Sequence, residues 1–245
     1  MTAHTDLDRS VVPAAFDRAA AHYDRLVGLN PGYHAHLRAA ARAARAAGPG
    51  ARVLDVGCGT GASTRALLST LVDPEIVAVD ASPAMLALAE RRPWPGSVRF
   101  VHSAVDDLPG AELESPFDVV FAAYLLRNVT DPDATLATLR RLLRPGGTLV
   151  LHDYTLADRL RPRLVWTVVC WSVIIPAAWA LSRDTGLYRY LWRSARQFDS
   201  PSRLRRRLLD AGYTDVHAHT VGGWQRDVLH TVTATVPRTV LRETP

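Results

Sequence analysis

Val53-Leu54-Asp55-Val56-Gly57-Cys58-Gly59-Thr60-Gly61 passes from a short apolar run into three glycines separated by single residues, and Ala62 to Thr70 continues in helical composition. An apolar run of this length, closed by glycine, predicts a buried strand. The glycines predict a tight turn into a helix, with a backbone bare enough for a ligand to approach. The loop reads G-x-G-x-G, not the G-x-G-x-x-G of dinucleotide loops. The same unit repeats downstream. Ile76-Val77-Ala78-Val79 is a second strand ending at Asp80, and Ser82 caps a helix with Pro83 at its first position, running to about Arg91. Val98 to Val101 and Phe117 to Ala122 are further strands. Asp131 to Leu143 is a helix stopped by Pro145-Gly146-Gly147, and Thr148 to Leu151 is a fifth strand. This alternation predicts an α/β fold, a doubly wound and mostly parallel sheet with right-handed crossovers and helices on both faces. Ala14 to Ala47 reads as helices interrupted at Pro31-Gly32. Leu156 to Ser200 has no strand pattern. Pro201 to Ala211 is a helix with Ser200 as its cap. Asp215 to Val221 and Val228 to Val236 are two successive strands, which pair antiparallel or lie at an edge. Seven strands result, in one domain over residues 1–245, with an N-terminal helical arm (1–50) and a helical insertion (156–200).

Composition narrows the chemistry. The 245 residues are 48% hydrophobic and 22% charged, enough apolar material for a full core. Cys58 and Cys170 are the only cysteines, so a disulfide scaffold and an all-cysteine metal site are excluded. His34 and His36 fall on opposite sides of a helix, and His217 and His219 lack partners at ligand spacing, so no metal site is expected. There is no lysine, which excludes a Schiff base and a phosphate-loop lysine. The net charge is +5, with acids interspersed, and no nucleic-acid recognition motif is visible. Met1 to Ser10 has no apolar run, so a cytoplasmic protein is the expectation. Leu164 to Leu181 is uncharged for eighteen residues, near the lower limit of about 17 for a spanning helix. Pro176 inside it and arginines on both flanks instead predict a pair of short helices, buried or interfacial.

Two acids define a ligand. Asp55 sits in the strand before the glycine loop, where it would repel a pyrophosphate but can hold an ammonium group through ordered water. Asp80 ends the second strand, the position from which an acid binds ribose hydroxyls. An adenosine with a cationic amino-acid tail and no phosphate satisfies both, which is S-adenosylmethionine.

Asp55-Val56-Gly57-Cys58-Gly59-Thr60-Gly61 with Asp80 resembles the class I methyltransferases, whose fold is Rossmann-like. Leu126-Arg127-Asn128-Val129-Thr130-Asp131 and Leu142-Leu143-Arg144-Pro145-Gly146-Gly147 are similar to the ubiquinone/menaquinone-biosynthesis C-methyltransferases, as are Phe16 to Asp24, Tyr188-Arg189-Tyr190-Leu191 with Ser194, and Ala211-Gly212-Tyr213. The resemblance runs from about Phe16 to Thr235. It implies that Gly57, Cys58 and Gly59 lie along the methionine tail with Thr64 opening toward it. It also implies that Asp80 takes the ribose, that Ala81 and Met85 flank the adenine, that the Ala104 and Val105 backbone meets the adenine edge, that Ala123 lines the sulfonium end and that Tyr23 closes over the cofactor. Relatives usually carry a side-chain hydrogen-bonder at the position of Ala104.

Carbon methylation of a quinol needs a ring made electron-rich by loss of its hydroxyl proton. Arg127, after the fourth strand, is a poor base but can stabilise the phenolate and polarise a water that Asn128 orients. Asp153, at the end of the fifth strand, is either a base or a structural cap. His152 replaces an apolar residue of relatives and is either a group at the acceptor that titrates near neutrality or, as is commoner for a strand histidine, simply packed. Asp184 and Tyr188 are expected at the acceptor, with the insertion as its lid and its tryptophans as an apolar way in for a prenyl tail. The expected partner is a lipophilic quinol of the demethylmenaquinol kind, with peripheral contact to anionic membrane; a homodimer is compatible with the sequence. Two rivals stay open: a natural-product methyltransferase acting on carbon, oxygen or nitrogen of a soluble metabolite, and a non-catalytic cofactor-binding subunit.

Overall fold

A computed structural model of the chain describes residues 12–28, 30, 32–110, 113, 116–156, 158–183 and 185–238. Two helices, α1 (Val12–Gly28) and α2 (Tyr33–Ala41), precede the first strand, and Gly32 between them takes φ of 90°. Then follow β1 (Arg52–Val56), α3 (Ala62–Leu68), β2 (Glu75–Asp80), α4 (Pro83–Glu90), β3 (Val98–His102), β4 (Phe117–Ala123), α5 (Pro132–Leu142) and β5 (Leu143–Tyr154). The seven strands lie in the order β3-β2-β1-β4-β5-β7-β6, where β6 is Thr214–Thr220 and β7 is Leu229–Thr235. The strands β1 to β5 are parallel, whereas β7 runs antiparallel to both β5 and β6.

Alternation along each strand builds the two faces. Leu54, Val56, Val77, Val79, Val120, Leu149 and Leu151 pack into one core with Leu136 and Leu139 of α5. Val53, Ile76, Ala78, Val119, Phe121 and Val150 pack into the other with Leu37, Ala66 and Leu67. These strands read as continuous apolar runs because both faces are covered. The chain winds outward from β1 to β3, then crosses back to β4. The crevice between β1 and β4 is therefore the switch point, and ligands bind there at the carboxyl ends of the strands. The glycine loop, Asp80, Ala123 and Asp153 all lie at that edge.

Two boundaries differ from the sequence reading. β5 begins at Leu143, because Pro145-Gly146-Gly147 forms a bulge, where the register with β4 shifts, instead of a loop. Ser82 caps α4 by accepting from Met85 N–H at 3.1 Å, but Ser200 makes no side-chain cap on α9 (Pro201–Asp210).

The segment after β5 differs more. Leu160–Val169 (α6), a π-turn at Cys170–Ile174 and Ile175–Ser182 (α7) form one unbroken rod, not two helices split at Pro176. The wider turn just before Pro176 absorbs the ring that would otherwise clash with the carbonyl four residues back. By length and composition, Leu160–Ala180 is long and apolar enough to cross a membrane, and 22% of its most apolar window is buried. A further helix, α8 (Gly186–Gln197), packs beside it. Trp166, Cys170, Ile175 and Ala178 meet Leu187, Tyr188, Ala195, Tyr154 and Leu229 in a third apolar cluster.

Candidate active site

One cavity of about 820 Å³ opens at the switch point. Its first wall is the glycine loop. Gly57, Gly59 and Gly61 have φ of 74°, 54° and 85°. A β-carbon on Gly57 would stand 3.0 Å from Leu125 Cδ1, and one on Gly61 would stand 2.7 Å from the Trp94 ring. Both positions thus need glycine for conformation and for space. Asp80 clasps this loop. Its Oδ2 accepts from the Gly59 N–H at 2.7 Å and its Oδ1 from the Ser82 N–H at 2.8 Å. Each oxygen keeps capacity for one more bond. Burial raises its carboxyl above the ordinary range.

Asp55 stands one layer behind the loop and is fully buried. Its Oδ2 accepts from Ser63 Oγ at 2.8 Å and Thr64 Oγ1 at 2.7 Å, while its Oδ1 has no partner among the described residues. Burial pushes its pKa up to about 6, against the pull of the two hydroxyls. Thr64 therefore holds Asp55 and does not line the cavity. Cys58 does line it, and burial, with Asp55 and Asp80 nearby, pushes its thiol up, so it stays protonated.

The helix α1 is buckled onto this wall by two acids. Asp17 Oδ1 accepts from Ser82 Oγ and from the Ala84 N–H at 3.2 Å. Asp24 accepts from Thr60 Oγ1 at 2.5 Å and pairs with Arg92. The side chain of Tyr23 and all of Asp184 lie outside the described residues. Ala81, Met85, Ala104 and Val105 line the adjoining stretch of cavity, and Ala123 follows at the end of β4.

Tyr124 organises the far half. It takes φ of 57°, which costs a non-glycine residue about 1–2 kcal/mol. The turn aims its carbonyl at two donors, Arg127 Nη1 at 3.2 Å and Asn128 Nδ2 at 2.8 Å. Asn128 Oδ1 in turn accepts from the Tyr190 hydroxyl at 3.2 Å. Arg127 is 3% exposed, lines the cavity and forms an ion pair with Asp153, also 3% exposed. Burial works against the Arg127 charge, but Asp153 outweighs it and holds the guanidinium more firmly protonated than usual. Its Nε–H has no partner among the described residues. Asp153 also accepts from the Tyr154 N–H at 2.8 Å. Its carboxylate is thus committed to Arg127 and the backbone, behind the cavity wall.

His152 also stands behind that wall. Its Nε2 meets the Tyr124 hydroxyl at 3.4 Å and its Nδ1 meets Thr231 Oγ1 at 2.9 Å. Of the two readings of His152, the packed one matches the structure, where the side chain is fully buried. Burial first, then His36 and His230, push its pKa down to about 3, so it is neutral. Any effect on a ligand passes through Tyr124.

The sequence reading missed an aromatic wall. Tyr33 stacks on Tyr124 with centroids 5.5 Å apart, Tyr124 meets Tyr154 at 5.3 Å, and Tyr154 meets Trp166 at 4.4 Å. All four line the cavity, as does Tyr188. Arg127 lies over the Tyr124 and Tyr154 rings, at 5.8 and 5.4 Å. The signals available were the aromatic neighbours of Arg127 and Asp153 in the chain. Beyond this wall the cavity is apolar, closed by Val169, Cys170, Val173, Ile174, Ala177 and Leu191.

Comparison with known proteins identifies the family and the fold. The ubiE/COQ5 methyltransferase family matches residues 4–230. The ubiquinone/menaquinone biosynthesis C-methyltransferase UbiE of Ectopseudomonas mendocina is 32% identical over 86% of this chain and 84% of its own. That of Shewanella sp. strain ANA-3 is 30% identical over 88% and 87%. Among solved structures, the plantazolicin methyltransferase BpumL in complex with SAH has a TM-score of 0.66 at 15% identity, covering 93% of this chain and 96% of that one. A chain of the complex between the Haloferax volcanii Trm112 methyltransferase activator and a methyltransferase also scores 0.66, at 20% identity over 91% and 98%. The chain belongs to the ubiE/COQ5 methyltransferase family, and is an enzyme that takes its methyl group from S-adenosylmethionine.

Proposed function

We propose that this methyltransferase alkylates a ring carbon of a quinol bearing an apolar tail, as a cytoplasmic enzyme whose acceptor comes from the membrane. The observation that carries this reading is the order of surfaces along one cavity: a polar glycine-loop end, an aromatic wall carrying a buried guanidinium, and an apolar end. A flat ring with a hydroxyl and a hydrocarbon tail matches the last two in sequence.

The cofactor fits the first. Asp55 Oδ1 is a buried acceptor without a partner among the described residues, as an ammonium-bearing tail held through water requires, and Asp80 has spare acceptor capacity for two ribose hydroxyls. Gly57, Cys58 and Gly59 would border the tail, and Ala81, Met85, Ala104 and Val105 the adenine. The adenine side rests on backbone and packing, because Ala104 offers no side-chain partner. When bound, the cofactor supplies an electrophilic methyl group on a sulfonium.

The chain's own residues do the rest. Tyr33, Tyr124 and Tyr154 hold the ring and exclude water. The Nε–H of Arg127, without a partner among the described residues, binds the acceptor oxygen and stabilises the phenolate that forms as the hydroxyl proton passes to a water; the proton on the alkylated ring carbon follows to water as the ring regains aromaticity. Asn128, fixed between the Tyr124 carbonyl and the Tyr190 hydroxyl, fixes the rim of that site. Asp153 is a positioning residue that keeps Arg127 charged and oriented. The lid formed by α6, α7 and α8, with Tyr188, encloses the tail.

The test is a reaction of the purified enzyme with isotopically labelled donor on bacterial lipid extracts, read by mass spectrometry. Label on a ring carbon of a prenylated quinol is expected. Label only on oxygen or nitrogen, or only on a water-soluble metabolite, would overturn the reading in favour of a natural-product enzyme. Absence of turnover with every extract would do so in favour of a non-catalytic subunit.

A further inference from the structure

We infer that the outward face of the rod Leu160–Ser182 is a docking surface for an anionic lipid bilayer, on which the rod lies flat in the interface. Eight large apolar side chains are strongly exposed among the described residues, and six are on this rod: Leu160, Leu164, Val168, Trp171, Val173 and Trp179. Leu160, Leu164, Val168 and Trp171 are spaced four, four and three residues apart, so they form one stripe. The opposite side, with Trp166, Cys170 and Ile174, faces the cavity. A helix on the surface of a globular protein carries polar residues on the side that faces water. This one is apolar on both sides, and on its outer side Leu160, Leu164, Val168 and Val173 stay exposed while Trp171 is covered only in part, by the Trp192 ring.

Charge identifies the occupant. Residues 158–198 hold seven arginines against two aspartates, an excess equal to the +5 of the whole chain. Arg183 lies 4.5 Å from the exposed Trp179 ring and Arg189 lies 5.5 Å from the Trp171 ring. Tryptophan flanked by guanidinium matches the boundary between acyl chains and anionic headgroups. A protein partner would need to bring a comparable density of acids, whereas an anionic bilayer presents them everywhere.

The connections exclude a crossing. The rod leaves β5 after five residues and joins α8 after three. α8 has twelve residues, about 18 Å of helix, and carries Arg189, Arg193 and Arg196. It is too short and too charged to bring the chain back to α9 and β6 through a bilayer about 30 Å thick. Lying flat satisfies both connections. Val173, exposed on the rod and lining the cavity, then sits where a lipid-borne tail passes from the bilayer into the site. The docking stands on the exposed face and its charge, not on the identity of the acceptor.

The experiment is sedimentation of the full-length protein with vesicles of phosphatidylcholine alone or with one-third phosphatidylglycerol. Binding to the anionic vesicles is expected. Leu164→Gln/Val168→Gln/Trp171→Gln, all outside the cavity lining, should lower that binding about tenfold or more, given about 0.8 kcal/mol for each methylene withdrawn from lipid. It should leave methylation of a short-chain, water-soluble quinol unchanged, and that second readout also shows that the variant folds. Arg183→Gln/Arg189→Gln should lower binding to anionic vesicles by about 30-fold, from about 1 kcal/mol per basic residue, and leave binding to neutral vesicles unchanged. Three results would overturn the inference: no binding by the wild type, equal binding by the apolar triple variant, or recovery only in a carbonate-resistant pellet. A wild-type dimer that ignores vesicles and dissociates in the triple variant would also overturn it, giving the face to a second copy of the chain. Failure of the wild type itself to methylate the soluble quinol would count against the proposed acceptor and leave the docking untouched.

Discussion

Asp153→Asn separates a positioning acid from a general base. The substitution keeps the shape and can still accept from the Tyr154 N–H, but it removes the negative partner of Arg127. Both side chains are 3% exposed, so little water can replace the lost partner. Breaking one side of such a pair costs about 3–5 kcal/mol. Arg127→Met leaves a buried carboxylate, which can take up a proton and so costs less. In urea denaturation at neutral pH, the double variant should recover at least about 2 kcal/mol relative to Asp153→Asn, because no isolated charge is left inside. Single-turnover methylation at saturating donor and acceptor supplies the second readout. Arg127→Met should lose about 10²–10³ in rate, the range for one preorganised donor. Asp153→Asn should lose less, and the double variant should be no slower than Arg127→Met, because residues that act as one unit do not multiply. Donor affinity should be unchanged throughout, since neither residue borders the glycine loop. Multiplying losses would refute the reasoning and make Asp153 a base acting in its own right.

Three further outcomes are expected. Asp80→Ala should weaken S-adenosylmethionine binding by about 1–3 kcal/mol in calorimetry, because it strips the Gly59 and Ser82 N–H groups of their partner as well as the ribose, and unchanged affinity would sink the assignment. Asp24→Ala should weaken the same binding by about 1 kcal/mol, mainly through faster release, by freeing α1 from Thr60; identical dissociation rates would mean that the buckle does not guard the donor. His152 is neutral when folded and protonates below about 6.5 when unfolded. The unfolded chain therefore binds more protons between pH 6.5 and 3, and stability falls as pH drops through that window by up to about 1.4 kcal/mol per unit. His152→Leu should flatten the slope in thermal melts at pH 4 to 7, and an unchanged slope would assign it to other groups.

The parallel sheet was legible in the chain because its strands are buried on both faces and bounded by turn residues. Val53 to Val56 and Ile76 to Val79 needed no tertiary information. The glycine loop and Asp80 were legible because backbone conformation and chain position alone fix them. What was hidden depends on contacts between distant segments. Asp17 and Asp24 became visible as partners of Ser82 and Thr60 only once α1 was folded across the loop. Thr64 points at Asp55, not at the cavity, because of the pitch of α3. The choice between a titrating and a packed His152 rested on burial that no local pattern reveals. The rod around Pro176 was misread because a π-turn can absorb a proline that otherwise marks a break. The aromatic wall joins residues from α2, the exit of β4, the end of β5 and α6, and no window of sequence contains them.

The buckle on α1 has a kinetic consequence. Its polar contacts with the glycine-loop wall are two carboxylates on hydroxyls, a backbone amide and a guanidinium, and the Asp24 and Arg92 side chains are 44% and 33% exposed. Groups so placed regain water when they part, so this door swings at small cost toward the aqueous side. The same helix also packs Ala15 and Phe16 against the apolar cluster of the lid. On the docking inferred above, opening at the polar end of this helix would release spent cofactor to bulk solvent while the outer face of the rod stays seated, so that successive turnovers fit within a single residence on the bilayer. Rate of supply, not rate of rebinding, would set its throughput.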